Sequence, residues 1–229
     1  MQVENMKRSI CLIKIGEISG TGFFIKIPIP SKENPMHGLM TNNHILNKNN
    51  LKPGKSFEIY KGSENSKPIK IQINDKYFVC TSEKIDITFI ELSNEIIDKF
   101  NPYFHKPSTK KYNNENKKDE SIQIFHFPTN KISISHGKIK KIRGSNIYHE
   151  IPTDHGSSGS PLLNESYEVI GVHKSRITDK ETRIAVKYSS IELYIQKRYD
   201  NWNKEKQKTK NKNPVNYYLK AEIKKKVIK

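Results

Sequence analysis

The sequence predicts an all-β protein built from two antiparallel β units and closed by a C-terminal helix. Three observations lead there. Short runs rich in Ile, Phe and Val recur along most of the 229 residues, separated by turn chemistry. A polar stretch, STKKYNNENKKDE at 108–120, divides these runs into two groups. After the last run a helical period begins and leads into a lysine-rich end.

The first group of runs is SICLIKIG, GTGFFIKIPI, GLMTNNHIL, SFEIYKG, PIKIQIND, KYFVCTS and DITFIEL, with PSKENPMHG and NKNNLKPGK as turns between them. SNEIIDKF has room for one or two helical turns. The second group is SIQIFHFP, KISISHGKIKKI, NIYHEIP, SPLL, YEVIGVHKS and RIAVKYS. Strands at this spacing suggest two small antiparallel barrels or sandwiches. Ser189 with Glu192 three positions on reads as a capping box, and Ile191, Tyr194, Ile195, Tyr199 and Trp202 follow at helical spacing. The expected organisation is therefore an N-terminal β unit at 1–107, a linker or insertion at 108–120, a second β unit at 121–188, a helix at 189–203 and a basic tail at 204–229.

Composition narrows the function classes. Hydrophobic residues make up 34% of the chain, and no apolar run approaches the roughly 20 residues of a membrane helix. The opening MQVENMKRSICLIKIG lacks the layout of a secretory signal, so the chain is expected to be intracellular. Cys11 and Cys80 have no histidine at short spacing to make a metal site, and two buried free thiols are expected. No cofactor or metal is expected. The formal net charge is +17, and ten lysines against two glutamates in 204–229 account for +8 of it. Such a tail can contact nucleic acid or an anionic membrane, though a solvated tail is the plainer reading.

The residues that carry chemistry are scattered. TDHGSSGSP at 153–161 places Ser157, Ser158 and Ser160 within four positions. A serine hydroxyl needs a base within hydrogen-bond reach, and the base needs an orienting carboxylate. His44 follows a β-like run at the start of a turn, and Asp86 stands at the mouth of the DITFIEL strand. In the GxSGxP turn the N–H groups of Gly156 and Ser158 can converge on one point, where a carbonyl oxygen becomes negative during acyl transfer. Each piece alone has an ordinary structural explanation. Together they stand in the order His44, Asp86, Ser158, separated by 42 and 72 residues.

GTGFFI, TNNHIL, DITFIEL, GSSGSPLL and IGVHKS, in this order, resemble the trypsin-like (chymotrypsin-fold) serine proteases. IFHFP at 124–128 and a turn centred on Gly137 look like the strand pair that precedes the nucleophile in bacterial members. The resemblance spans roughly residues 8–200. It implies two antiparallel six-stranded barrels with the site between them, Ser158 as nucleophile, His44 as general base and Asp86 as its orienting partner. It also implies an oxyanion hole from the N–H groups of Gly156 and Ser158, with Ser157 and Ser160 as turn formers. The pocket base of trypsin-like enzymes falls on Pro152, so a preference for Lys or Arg is not implied. Thr153 and His173 match the positions with which glutamyl endopeptidases bind an acidic side chain, and His155 would crowd the pocket entrance. The alternative is a non-catalytic binding module on the same fold, with the basic tail contacting nucleic acid or membrane.

Overall fold

The computed structural model describes residues 3–113, 119–177 and 181–212. The centre of the expected linker, 114–118, and the basic tail beyond 212 lie outside the described residues. Among those described there are thirteen strands, and every run singled out above contributes one.

In the N-terminal half, β1 (Ile10–Ile15), β2 (Ile18–Pro30), β3 (Pro35–Thr41), β4 (Ser56–Tyr60), β5 (Ile69–Gln72), β6 (Val79–Ser82) and β7 (Ile87–Glu91) form an antiparallel sheet in the order β5-β4-β1-β2-β3-β7-β6. The sheet has seven strands where six were implied. Its two ends, β5 and β6, are four residues each and do not pair with one another. Ile73 and Phe78, between them, are buried. The C-terminal half is a closed six-stranded barrel, β10-β13-β12-β11-β8-β9. Its strands are β8 (Ser121–His126), β9 (Ser133–Arg143), β10 (Asn146–His149), β11 (Pro161–Leu163), β12 (Val169–Arg176) and β13 (Arg183–Lys187).

Periodicity explains how the strands sit. β4 alternates exposed and buried residues, as a strand with one wet face must, whereas β7 buries four consecutive residues between β3 and β6. Gly137 is not at a turn. It lies inside β9 opposite Ile122, where a Cβ would stand 2.9 Å from the Ile151 nitrogen, so glycine serves a close backbone approach. The chain instead reverses at a 3-10 turn, Pro128–Asn130.

Three short segments complete the fold. A helix α1 (Val3–Ser9) precedes β1, with Met6 buried in the core. SNEIIDKF forms α2 (Asn94–Phe100), where the Ser93 side chain accepts from Ile96 N–H at 3.3 Å and Asn101 closes the end in the left-handed region. Tyr112, the one aromatic residue of the polar linker, is buried against the barrel interior and bonds Glu120 at 3.0 Å.

The last helix, α3, runs Tyr188–Lys212 rather than 189–203. It follows β13 without a break, so Ser189 is inside its first turn and does not cap it. Beyond 203 good helix formers continue, with the Lys206 ammonium 4.3 Å from the Trp202 ring centroid. The apolar stripe docks as its spacing predicts. Ile191 and Ile195 are buried, while Tyr199 and Trp202 pack on Phe78 with ring centroids 5.5 and 5.6 Å away. The helix thus leaves the barrel and returns to the N-terminal sheet. No described helix is long and apolar enough to cross a membrane. Cys11 and Cys80 are free and buried, and burial pushes the Cys80 thiol up to about 12.

Four buried histidines share one electrostatic cause. Desolvation pulls His105 and His126 down to about 4 and His149 to about 3, with the Arg183 charge adding to the last, and takes His173 well below its usual value. Unfolded, these rings bind protons at about pH 6.5, so the unfolded chain binds more protons below that point and stability falls with pH toward 4. Each ring costs about 1.4 kcal/mol per pH unit over its own window. The unfolding temperature should therefore drop steeply between pH 6.5 and 4.5, and His105→Leu should make the drop shallower. An equal slope in that variant would contradict the assignment.

Candidate active site

The site lies where three chain segments from the N-terminal sheet meet the 153–161 turn of the barrel. His44 follows β3 in a turn, and Asp86 is the residue immediately before β7. β3 and β7 are paired neighbours with Thr41 opposite Thr88, so their ends bring residues 42 positions apart side by side. Two hydrogen bonds join them. The His44 backbone N–H donates to Asp86 Oδ1 at 3.0 Å, and the His44 ring Nδ1 lies 2.8 Å from Asp86 Oδ2. The Asp86 backbone is held as well, by the Asn42 amide donating to its carbonyl at 2.9 Å. Asp86 takes φ 54°, a left-handed conformation that aspartate tolerates better than most residues.

Burial alone would raise the Asp86 carboxyl, but the His44 hydrogen bonds and charge, with Lys174 adding to them, bring it below its usual value. Asp86 is therefore the ionised partner. Its side chain is only 8% exposed, while that of His44 is 46% exposed. The ring is thus fixed from behind and open to solvent in front.

The serine turn is anchored at three of its amides. Ser157 N–H donates to Asp154 O at 3.0 Å, Gly159 N–H to His173 O at 3.0 Å and Ser160 N–H to Ser157 O at 3.2 Å. None of these bonds uses the N–H of Gly156 or of Ser158. Gly156 and Gly159 have φ of 89° and 88°. A Cβ on Gly156 would stand 2.2 Å from Phe127 O, and one on Gly159 would stand 2.1 Å from Thr21 O, so both turn glycines are obligatory.

The three serines differ in their partners. Ser157 is buried, accepts from Asp154 N–H at 3.1 Å and sits 2.8 Å from His126 Nδ1. His126 bridges two serines, its other ring nitrogen Nε2 lying 3.0 Å from Ser135 Oγ. Ser160 Oγ donates to Ser157 O at 2.5 Å. Ser158 is half-buried, and its hydroxyl donates to the Lys174 carbonyl at 3.2 Å rather than to the His44 ring. The structure thus brings His44 and Asp86 into contact and leaves Ser158 on a partner of β12.

The specificity candidates fall on one side of the turn. His173 is 2% exposed, with Nδ1 3.2 Å from His149 Nε2, and His149 Nδ1 accepts from Ile151 N–H at 3.3 Å. An accepting Nδ1 places the His149 proton on Nε2. His173 Nδ1 must then accept, which leaves the His173 proton on Nε2. Thr153 Oγ1 accepts from Arg183 Nε at 3.3 Å. His155 is exposed, tied at its backbone to Thr129 N–H and to the Asp154 side chain.

Reading the sequence missed Thr21, His126, His149 and Arg183. Thr21 stands inside the GTGFFI stretch, but its partners lie more than 100 residues away. Its hydroxyl donates to Gly156 O at 2.7 Å and accepts from Phe127 N–H at 3.0 Å, and its N–H donates to Ser158 O at 2.8 Å.

An aspartate-backed histidine beside a positive-φ serine turn, between a β sheet and a β barrel, defines a class of hydrolase site. Comparison with known proteins places the chain in a family. The trypsin-like peptidase domain matches residues 20–172, more than half of the sequence, and the chain belongs to that family of serine proteases. A glutamyl endopeptidase of Staphylococcus aureus (strain MW2) is 36% identical over 72 residues. Those residues are 30% of this chain and 22% of that protein, so the match spans about a fifth of the relative. Among solved structures, a Glu endopeptidase in complex with MPD superposes with TM-score 0.60 at 19% identity, covering 85% of this chain and 93% of that one. The active form of the Rv3671c protease from M. tuberculosis gives 0.59 at 18%, covering 82% and 79%. The serine endoprotease from Yersinia pestis gives 0.61 at 13%, covering 86% and 64%. These likenesses establish the double β fold.

The clash at Gly159 yields a direct expectation. Gly159→Ala forces a Cβ against Thr21 O at a φ that alanine avoids, and should cost about 2 kcal/mol or more. Thermal unfolding would register the loss, and a fluorophosphonate probe should label the variant far more slowly than the unaltered protein. Equal stability and equal labelling would contradict this account of the turn.

Proposed function

We propose that this protein is a serine endopeptidase working through Ser158, His44 and Asp86. The observation that carries the reading is the double hydrogen bond between His44 and Asp86. It commits Nδ1–H to the carboxylate, leaves the lone pair on Nε2 and directs that nitrogen to the open side of the site. In the reaction the Ser158 hydroxyl leaves the Lys174 carbonyl and gives its proton to Nε2 as Oγ attacks the peptide carbonyl. Asp86 stabilises the imidazolium so formed. The carbonyl oxygen becomes negative and is received by the N–H groups of Gly156 and Ser158, which the turn leaves uncommitted. The imidazolium then protonates the leaving amine, and water repeats the sequence on the acyl-enzyme.

The preferred substrate carries Glu or Asp before the scissile bond. Thr153 and His173 support this reading, the hydroxyl and Nε2–H being donors suited to a carboxylate. So does the local likeness to a protein named glutamyl endopeptidase. The basic surface, with a formal +17 over the chain, adds long-range attraction for acidic peptides.

Two measurements test the proposal. Ser158→Ala and His44→Ala should each lower peptide hydrolysis about 10⁴-fold, and Asp86→Asn should do the same, with unchanged circular dichroism. Hydrolysis that persists in the purified Ser158 variant would overturn the mechanism. A fluorophosphonate probe that labels neither the protein nor its variants would instead favour the non-catalytic module. Separately, a peptide library should show cleavage after Glu and Asp, and cleavage mainly after Leu, Phe or Arg would refute the acidic preference.

A further inference from the structure

A carboxylate entering a water-poor pocket needs both hydrogen-bond donors and a compensating charge. His173 offers a donor but no charge. Its ring is buried, surrounded by His149, His126 and Arg183, and held neutral, with its proton fixed on Nε2 by the chain from Ile151 through His149. The compensating charge must come from elsewhere.

Arg183 stands at the right place. It lies on β13, directly opposite His149 of β10 in the strand register, and the residue is 9% exposed. Its Nε donates to Thr153 Oγ1, and its charge is felt by both His149 and His173. Arg183 therefore bonds Thr153 and acts on the histidine pair, the two features assigned to the acidic pocket. Because Thr153 Oγ1 accepts from a cation, its own hydrogen is free to donate to an incoming group, and the accepted bond strengthens that donor.

We propose that Arg183 is the cation of the primary specificity pocket, where it makes the site select a carboxylate side chain over its neutral amide counterpart. The proposal rests on the acidic preference stated above and adds the residue that supplies the charge. Arg183 keeps its proton at every working pH. Among the described residues, the titratable and charged groups placed against it include the neutral His149 across β10 and Arg176 and the neutral His173 on β12. Selection of Glu over Gln should accordingly hold constant between pH 6.5 and 8.5.

The test compares two peptides identical except for Glu or Gln before the scissile bond. The unaltered protein should favour the Glu peptide in kcat/KM. Arg183→Gln should lower the Glu-to-Gln ratio by about 30-fold, with most of the loss on the Glu peptide. Arg183→Lys should keep most of the ratio. If the unaltered protein prefers Glu and Arg183→Gln keeps that preference, the role of Arg183 is overturned while the acidic reading stands. If the unaltered protein shows no preference for Glu, the acidic reading itself fails and takes this proposal with it. Should Arg183→Gln fail to fold, the pH profile of the unaltered protein decides. A ratio that is constant supports Arg183, and one that falls toward unity as the pH rises assigns the charge to a histidine and overturns the proposal.

Discussion

One residue of β2 holds the two halves of this molecule in register. Thr21 binds Gly156 and Phe127 through its hydroxyl and Ser158 through its N–H, and its carbonyl accepts from the Thr41 hydroxyl at 2.8 Å. Each bond is worth about 1 kcal/mol net, a modest sum for a domain. Their geometric effect is larger. Thr41 ends β3, just before the turn that carries His44, so the clamp places the histidine segment and the serine turn against the same residue. The contact is close enough to exclude any side chain at Gly159. The position of Ser158 relative to His44 therefore follows from how Thr21 is seated, and Phe23, Phe125, Phe127 and Val172 of both halves share one apolar cluster.

The second constraint is the end of the β3–β7 pair. An aspartate in the left-handed region is an unfavourable conformer, and it persists because its surroundings fix it from several sides. The Asn42 amide holds its carbonyl, the His44 amide and ring hold its carboxylate, and Thr88 in the next position but one bonds Leu46 O at 2.6 Å. The last bond ties β7 to the segment just after His44. Histidine and aspartate are thus oriented by backbone they share, so the pair is in place before any substrate arrives.

Much of this was legible in the sequence because strands announce themselves locally. The runs of Ile, Phe and Val marked all thirteen strands, and the docking stripe Ile191, Tyr194, Ile195, Tyr199 and Trp202 was readable at helical spacing. His44 and Asp86 were readable by residue type and order. What stayed hidden depends on distant partners. Nothing near Thr21 signals that its hydroxyl meets residues 127 and 156, and nothing near Arg183 signals Thr153. Gly137 looked like a turn because glycine usually is one, yet the approach of Ile151 is what requires it. The Ser189 capping box matched its pattern, but β13 runs directly into α3 and left no cap position to fill. The open N-terminal sheet escaped notice for a similar reason, since closure depends on whether two edge strands meet.

β12 links the serine turn to the buried histidine pair. His173 is buried, whereas Lys174, where the pairing with β13 shifts register, is half-buried. The His173 backbone bonds both Ser160 and Gly159, and the Lys174 carbonyl holds the Ser158 hydroxyl. Lys174 also helps to keep Asp86 ionised. Two adjacent residues therefore hold the serine turn, the Ser158 hydroxyl and the His149 ring, and one of them also acts on the Asp86 charge. A shift of this strand segment moves the acceptor of the Ser158 hydroxyl and the buried imidazole together. The mechanism proposed above requires that hydroxyl to leave the Lys174 carbonyl, and this acceptor is one peptide unit from His173.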